Sequence, residues 1–261
     1  MGKYTLWEIQ GGVGILTLNR PEKHNALNDS LIKEVADLID ACAEDESVKV
    51  LLLRGAGKSF CAGGDLKESR FLSAPTDIEK EKCLRVLHRI PLGLRKLPQP
   101  VIAELKGMVG GAGLDLAMGC DIRIASEDSR FGSLFTRVGL LPDGGGTFEL
   151  PRLVGISKAL EMMFTGDLIN AQEAYRIGLV NQVVATDNLH DAVMSFADRL
   201  ARGPSQCLRV TKQITYRNLG LNLETALDQE ISGQIFLYAT EDGQEGVKAF
   251  SEGRSPEFKG S

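Results

Sequence analysis

The 261-residue chain has little of what several large protein classes depend on. Its five cysteines include no C-x-x-C pair, which favours neither a disulfide framework nor a zinc site, and we expect no bound metal. No apolar run approaches the roughly 20 residues that span a bilayer. The N-terminus also lacks the apolar segment of a secretory signal. These absences predict a cytoplasmic protein with no membrane partner.

Positive charge and nucleophile signatures are scarce as well. The chain carries 35 acidic and 30 basic residues, a net charge of −5, and no basic run, so we expect no nucleic-acid partner. There is no G-x-S-x-G elbow among its 29 glycines. The glycine-rich segments also match neither the dinucleotide fingerprint nor the phosphate-binding P-loop. Serine-hydrolase and nucleotide-binding chemistry are therefore disfavoured.

Hydrophobic periodicity predicts an α/β fold. Strands and helices alternate up to about residue 185, whereas helical periodicity dominates from residue 189 onward. The predicted strands are 13–18, 48–53, 100–105 and 122–125. The predicted helices are 28–43, capped by Asn28, then 79–96, 111–119, 147–154, 189–202, 205–218, 222–240 and 243–251. We therefore divide the chain into an α/β core at 1–188 and a helical region at 189–261.

Three segments rich in small residues carry acidic side chains in apolar surroundings. They are 59–67, 107–121 and 140–147, with Asp115 and Asp143 in the second and third. Each segment alone could be a turn or a helix start with a hydrogen-bonded acid. An ionised carboxylate in such surroundings costs several kcal/mol unless something compensates it. Free N–H groups at a helix start also favour a developing negative charge. Together the segments predict stabilisation of an enolate.

Other reactive side chains leave alternatives open. Cys61 could be a nucleophile, but no partner base is evident, so we favour a structural thiol. His24 follows Lys23 and either faces phosphates or lies in a solvated basic turn. His88 and His190 are interpreted as packing or surface residues.

The order of the motifs resembles the crotonase (enoyl-CoA hydratase/isomerase) superfamily across essentially the whole chain. The motifs are Leu18–Leu27, Phe60–Leu66, Gly110–Asp121, Gly139–Thr147 and the tail from Glu245 to Phe258. The resemblance implies a spiral of ββα units with a C-terminal α-helical trimerisation region. It also implies a homotrimer or dimer of trimers that acts on an acyl-CoA thioester. Coenzyme A is then part of the substrate, and no separate cofactor is implied.

The resemblance also assigns roles to residues. The backbone N–H groups of Gly64 and Ala112 would form an oxyanion hole for the thioester carbonyl, and residues 68–90 would line the acyl pocket. Phe250 and Arg254 fall where a neighbouring C-terminal region contacts the nucleotide end, although a lysine common there is Gly253 in this chain. The remaining expected substrate-binding residues are His24, Ala26, Leu27, Ala62, Asp65, Leu66, Gly111, Leu134 and Phe135.

The pattern of acids bears on which reaction the chain performs. Hydratases of this superfamily use two glutamates, whose positions here hold Asp115 and Phe135. An acid at the position of Asp143 resembles the isomerase branches, so the favoured hypothesis is that Asp143 moves a proton from C2 to C4 of an enoyl-CoA. In this hypothesis Asp115 is also catalytic: it assists Asp143, orients a water or serves as a second acid. One alternative is a hydratase in which Asp115 and Asp143 jointly position a water. A further alternative is a weakly catalytic acyl-CoA-binding member.

Overall fold

A six-stranded sheet with helices on both faces forms the core of the protein, for which this computed structural model describes residues 2–260. In chain order the strands are β1 Thr5–Gln10, β2 Val13–Leu18, β3 Val50–Gly55, β4 Val101–Leu105, β5 Met108–Gly110, β6 Ile122–Ser126, β7 Arg130–Gly132, β8 Ile169–Asn170 and β9 Gln182–Val184. The helices are α1 Asp29–Glu44, α2 Arg70–Ser73, α3 Asp77–Lys96, α4 Ala112–Met118, α5 Gly146–Val154, α6 Ile156–Thr165, α7 Ala171–Arg176, α8 Leu189–Ala201, α9 Ser205–Asn218, α10 Leu223–Tyr238 and α11 Glu241–Glu252.

The large sheet has the order β1-β2-β3-β4-β6-β9, in which β1 and β2 are antiparallel and the other pairs are parallel. Its central strands are apolar on both faces because helices cover both faces. Leu16 and Leu51 face the cluster that includes α1, α3 and α4, whereas Ile15 and Leu52 face α8. A second sheet, β5-β7-β8, lies beside the start of α4. The predicted α/β class is confirmed.

Most predicted elements agree with the structure to within two residues, but several were missed, including the ten-residue helix α6 and some short strands. Strand β1 escaped notice because most of its side chains are partly or fully exposed and give no continuous apolar run. Strands β5, β7 and β8 have two or three residues each, too few for a periodic signal. The Asn28 cap is confirmed, since its Oδ1 accepts the N–H of Leu31 at 2.9 Å.

The four C-terminal helices differ in how they contact the sheet. Helix α8 packs Leu189, Val193 and Ala197 against the second face of the large sheet. Helix α9 is tied to the core by Lys212 Nζ, 2.7 Å from Asp121 Oδ2.

The division of the chain into two regions at 188/189 stays a prediction. Within residues 2–260, no helix has the length and apolar character that crossing a membrane would demand.

Candidate active site

A cavity of about 350 Å³ opens where the three acid-bearing segments meet. Its walls are the 62–66 loop, the start of α4, the 3-10 helix Leu134–Val138, and apolar side chains of α2 and α3. The apolar side chains are Phe71, Leu72, Leu84 and Leu87. They come from the 68–90 segment, as the resemblance implies for an acyl pocket. A largely apolar cleft with a few polar groups is typical of a small-molecule site.

Two backbone N–H groups at the cavity are available as donors. Gly64 and Ala112 both line the cavity, and no acceptor within residues 2–260 receives either N–H. Ala112 is the first residue of α4, where N–H groups have no partner inside the helix. Gly63 lets the two segments approach, because a Cβ there would lie 3.1 Å from the Gly110 carbonyl oxygen, and its φ is +119°. Both N–H groups are therefore free to donate to a ligand in the cavity.

A buried ion pair holds the loop that carries Gly64. Asp65 accepts from Arg20 at 3.1 Å and from the N–H groups of Lys67 and Glu68 at 3.2 Å. Arg20 is 3% exposed and also binds the Glu68 carboxylate at 2.8 Å. Burial alone would raise the pKa of Asp65, but Arg20 and the two N–H groups outweigh it and hold that pKa below its usual range. Asp65 is therefore ionised and holds the loop in place, and it is not a base.

Asp143 is the carboxylate best placed to act as a base in the cavity. It is half-buried and lines the cavity together with Phe135 and Leu140. Burial raises the pKa of Asp143 above its usual range, and this outweighs the opposing effect of His88. A desolvated carboxylate with a raised pKa is suited to removing a proton from carbon.

Asp115 is buried next to Asp143 but does not line the cavity. Its Oδ2 accepts the N–H of Gly144 at 2.9 Å, and the N–H of Gly146 also stabilises its ionised form. A Cβ on Gly146 would collide with the Asp115 carboxylate, so the turn needs glycine there. Burial raises the pKa of Asp115 to about 7, with a further contribution from Asp143. Asp115 therefore organises the turn after Asp143.

His88 supports Asp143 from α3. Its Nε2 lies 2.9 Å from the Asp143 carbonyl oxygen, so Nε2–H is the donor and the ring fixes the backbone of the catalytic candidate. The sequence interpretation of His88 as a packing or surface residue missed this contact. No sequence signal links positions 88 and 143, because the bond depends on how α3 crosses the loop.

Phe135 occupies the wall of the cavity from the 3-10 helix. It packs against the main hydrophobic cluster and places an aromatic ring where the resemblance puts the second hydratase acid. Two further acids line the cavity, and both have partners: Asp65 binds Arg20, and Asp29 accepts the N–H of Arg70 at 3.1 Å.

The cavity brings together most of the residues expected from the resemblance. Those that line it are Leu27, Ala62, Gly64, Asp65, Leu66, Gly111, Ala112, Leu134, Phe135 and Asp143. Five others lie outside it, one of which is Asp115, described above. His24 and Ala26 are in the preceding turn, where His24 Nδ1 is 3.1 Å from Ser59 Oγ. Phe250 is 90% exposed on α11, and Arg254 binds Glu245 and Glu252. Their predicted contacts with coenzyme A stay predictions.

Cys61 is structural, as the favoured interpretation held. It is fully buried, and burial raises the pKa of its thiol to about 12, far from a reactive thiolate. Across residues 2–260, no three His, Cys, Asp or Glu side chains cluster so that they could hold a metal ion. The charged and hydroxyl side chains that line the cavity are Asp29, Asp65, Ser69, Arg137 and Asp143.

Comparison with known proteins agrees with this geometry. A sequence model of the enoyl-CoA hydratase/isomerase family matches residues 8–261. The 1,2-epoxyphenylacetyl-CoA isomerase of Escherichia coli (strain K12) is 36% identical over 261 residues, covering 100% of both chains. The short-chain-enoyl-CoA hydratase of Clostridium acetobutylicum is 38% identical over 253 residues, covering 96% of this chain and 95% of that one. A crystal structure of an enoyl-CoA hydratase from Mycobacterium smegmatis superposes with a TM-score of 0.92 at 35% identity, covering 98% of both chains.

The chain therefore belongs to the enoyl-CoA hydratase/isomerase family and has the crotonase fold. It is an acyl-CoA enzyme of the isomerase/hydratase type.

Proposed function

We propose that this protein is an enoyl-CoA isomerase in which Asp143 is the single base that moves the proton. The observation that carries the proposal is the orientation of the acids. Asp143 faces the cavity with a raised pKa, whereas Asp115 is turned into the 144–146 turn and Phe135 fills the adjacent wall. A hydratase with two carboxylates on one water would need a second acid facing the cavity without a partner.

The proposed reaction begins with the thioester carbonyl between the N–H groups of Gly64 and Ala112. Asp143 removes a proton from C2 of a 3-enoyl-CoA, and the C–H electrons form a dienolate whose oxygen accepts both N–H groups. Such a donor is worth about 3–4 kcal/mol of transition-state stabilisation. The protonated Asp143 then returns its proton to C4 as the C2–C3 double bond forms. The product is the conjugated 2-enoyl-CoA, and Asp143 is ionised again.

This sequence of steps consumes no water and transfers no electrons between molecules. It therefore needs no cofactor apart from the coenzyme A that the substrate carries. Leu27, Leu66 and the 62–66 loop are proposed to hold the pantetheine end, with the acyl group between α2, α3 and Phe135.

A homotrimer, alone or as a dimer of trimers, is part of the proposal. Helix α10 presents a row of exposed apolar side chains at helical spacing, Leu223, Leu227, Ile231 and Ile235. Helix α6 presents a second row, Ile156, Leu160 and Phe164. Such rows favour burial against other copies of the chain. Sedimentation equilibrium tests this: a trimer or hexamer is expected, and a monomer would contradict it.

The reaction itself is tested by incubating the purified protein with a 3-enoyl-CoA and, separately, with a 2-enoyl-CoA in D2O. Chromatography of the first mixture against an authentic 2-enoyl-CoA is expected to show the conjugated isomer, and mass spectrometry of that peak should show no water adduct. A water adduct from the second mixture would make the protein a hydratase. Binding of both thioesters without conversion would instead support the weakly catalytic alternative.

A further inference from the structure

A second cavity lies on the other side of Asp143. It has a volume of about 650 Å³ and is bounded by α3, the Asp143 loop, α5 and α9. Among residues 2–260, Asp143 is the one residue that lines both this cavity and the acyl cavity. The two cavities are therefore adjacent at Asp143.

The second cavity carries unpaired positive charge. Arg95 is neutralised, because it forms an ion pair with Glu149 and stacks on the Tyr216 ring at 3.9 Å. Lys96 and Arg217 are exposed at the rim, and within residues 2–260 neither has a carboxylate partner or a side-chain hydrogen bond. Two free cations beside one neutralised pair favour an anionic ligand group at the rim.

The wall between Asp143 and these cations is apolar. Pro91, Leu92 and Phe148 line it, and Leu92 and Phe148 remain 57% and 46% exposed. His88, which binds the Asp143 carbonyl, and Lys96 lie eight residues apart on α3, which corresponds to about 12 Å along the helix. A hydrocarbon chain could cover this wall and reach the rim.

We propose that the second cavity selects acyl-CoA substrates whose acyl chain ends in a carboxylate. This rests on the proposed function, since it places the reacting carbons at Asp143. The far carboxylate pairs with Lys96 and Arg217, and the intervening carbons cover Leu92 and Phe148. A span of about 12 Å beyond the reacting carbons calls for a medium- to long-chain acyl group. The subsite thereby sets specificity without taking part in proton transfer.

Calorimetric binding to the purified protein tests this subsite independently of turnover. The ligands are a saturated medium-chain acyl-CoA, its counterpart with a terminal carboxylate, and free coenzyme A. We expect the carboxylate ester to bind more tightly than the plain ester. The Lys96→Gln/Arg217→Gln double variant should lose about tenfold of this preference, as expected for two exposed charge contacts. High salt should weaken the preference in the wild type.

Matched controls separate the subsite from general electrostatics. Lys248→Gln removes an exposed lysine of α11, and Arg202→Gln removes an exposed arginine after α8. Neither residue lines the two cavities, so the ratio of the two ester affinities should stay at its wild-type value.

Three results would overturn the inference. The wild type could bind both esters equally, the double variant could keep the full preference, or it could weaken both esters and free coenzyme A alike. That last result would show that Lys96 and Arg217 bind coenzyme A and not the end of the acyl chain. A separate assay with a plain 3-enoyl-CoA tests the proposed isomerase function. The proposed function and the proposed subsite can therefore fail independently of each other.

Discussion

The Asp115 carboxylate accepts the backbone N–H of Gly144 at 2.9 Å and thus lies directly behind the turn that presents Asp143 to the cavity. Two neighbouring carboxyl groups consequently have different environments. Asp143 faces the space for the substrate, whereas Asp115 is enclosed and receives N–H groups from the turn. This difference in environment underlies the proposal that Asp143 is the base and that Asp115 positions it.

The buried Asp115 makes stability depend on pH. Its folded pKa of about 7 is above the usual 3.8, so the folded state holds this proton more firmly than the unfolded state. The resulting stabilisation is present below about pH 4 and is lost as pH rises through about 7. Between pH 5 and pH 8 the wild type should lose about 2–3 kcal/mol relative to Asp115→Asn, which cannot ionise. Urea unfolding of both proteins at the two pH values measures this, and a constant difference would contradict it.

The raised pKa of Asp143 should be visible in the rate. The base must be ionised to accept the C2 proton, so kcat/KM for a 3-enoyl-CoA should fall as pH decreases through the pKa of Asp143. Since burial raises that pKa, the midpoint should lie above 3.8, the usual value. A rate profile that stays flat down to that value would show that Asp143 is not the base.

His88 is expected to act on the rate through Asp143. Replacing it with Ala removes the donor to the Asp143 carbonyl and should lower kcat about tenfold, with a smaller change in KM. His88→Gln keeps an N–H donor and should restore much of the rate. A purely structural role predicts that both variants lose stability while kcat stays the same. Steady-state kinetics combined with thermal unfolding distinguishes the two cases.

The proposed oxyanion hole depends on the close approach at Gly63. An added methyl group in Gly63→Ala would lie 3.1 Å from the Gly110 oxygen and 3.7 Å from the Ala112 nitrogen, so the two donors should move apart. We expect kcat to fall by about 100-fold or more, as for the loss of one donor elsewhere. Gly155→Ala is the matched control, because Gly155 also has positive φ, +80°, but has open space around it. Both variants should lose about 1 kcal/mol of stability, whereas the control should keep its kcat.

Much of the fold and most of the cavity wall could be predicted from local sequence. Strands such as β2 have continuous apolar runs, and Asn28 and the glycines before α4 mark helix starts that depend on nearby residues alone. The segments carrying Gly64, Ala112 and Asp143 were recognisable because each combines small residues with an acid. Local chemistry therefore located the parts of the site.

The relationships between those parts could not be predicted in the same way. Whether Asp115 faces the cavity or the turn depends on the path of the 144–146 loop, and Gly144 of that loop is 29 residues further along the chain. The bond from His88 to Asp143 joins residues 55 apart. The second cavity likewise exists only because α9 returns to α3 and α5. Each of these relationships arises from packing between distant parts of the chain, and no local sequence pattern predicts it.

The most direct test of the central claim follows a label on C2. A 3-enoyl-CoA deuterated at C2 is converted in ordinary water, and the product is analysed for deuterium at C4. If Asp143 carries the proton between the two carbons, part of the label should reach C4, and Asp143→Asn should slow conversion by about 100- to 10,000-fold. Full activity of Asp143→Asn, with label transfer unchanged, would contradict the account.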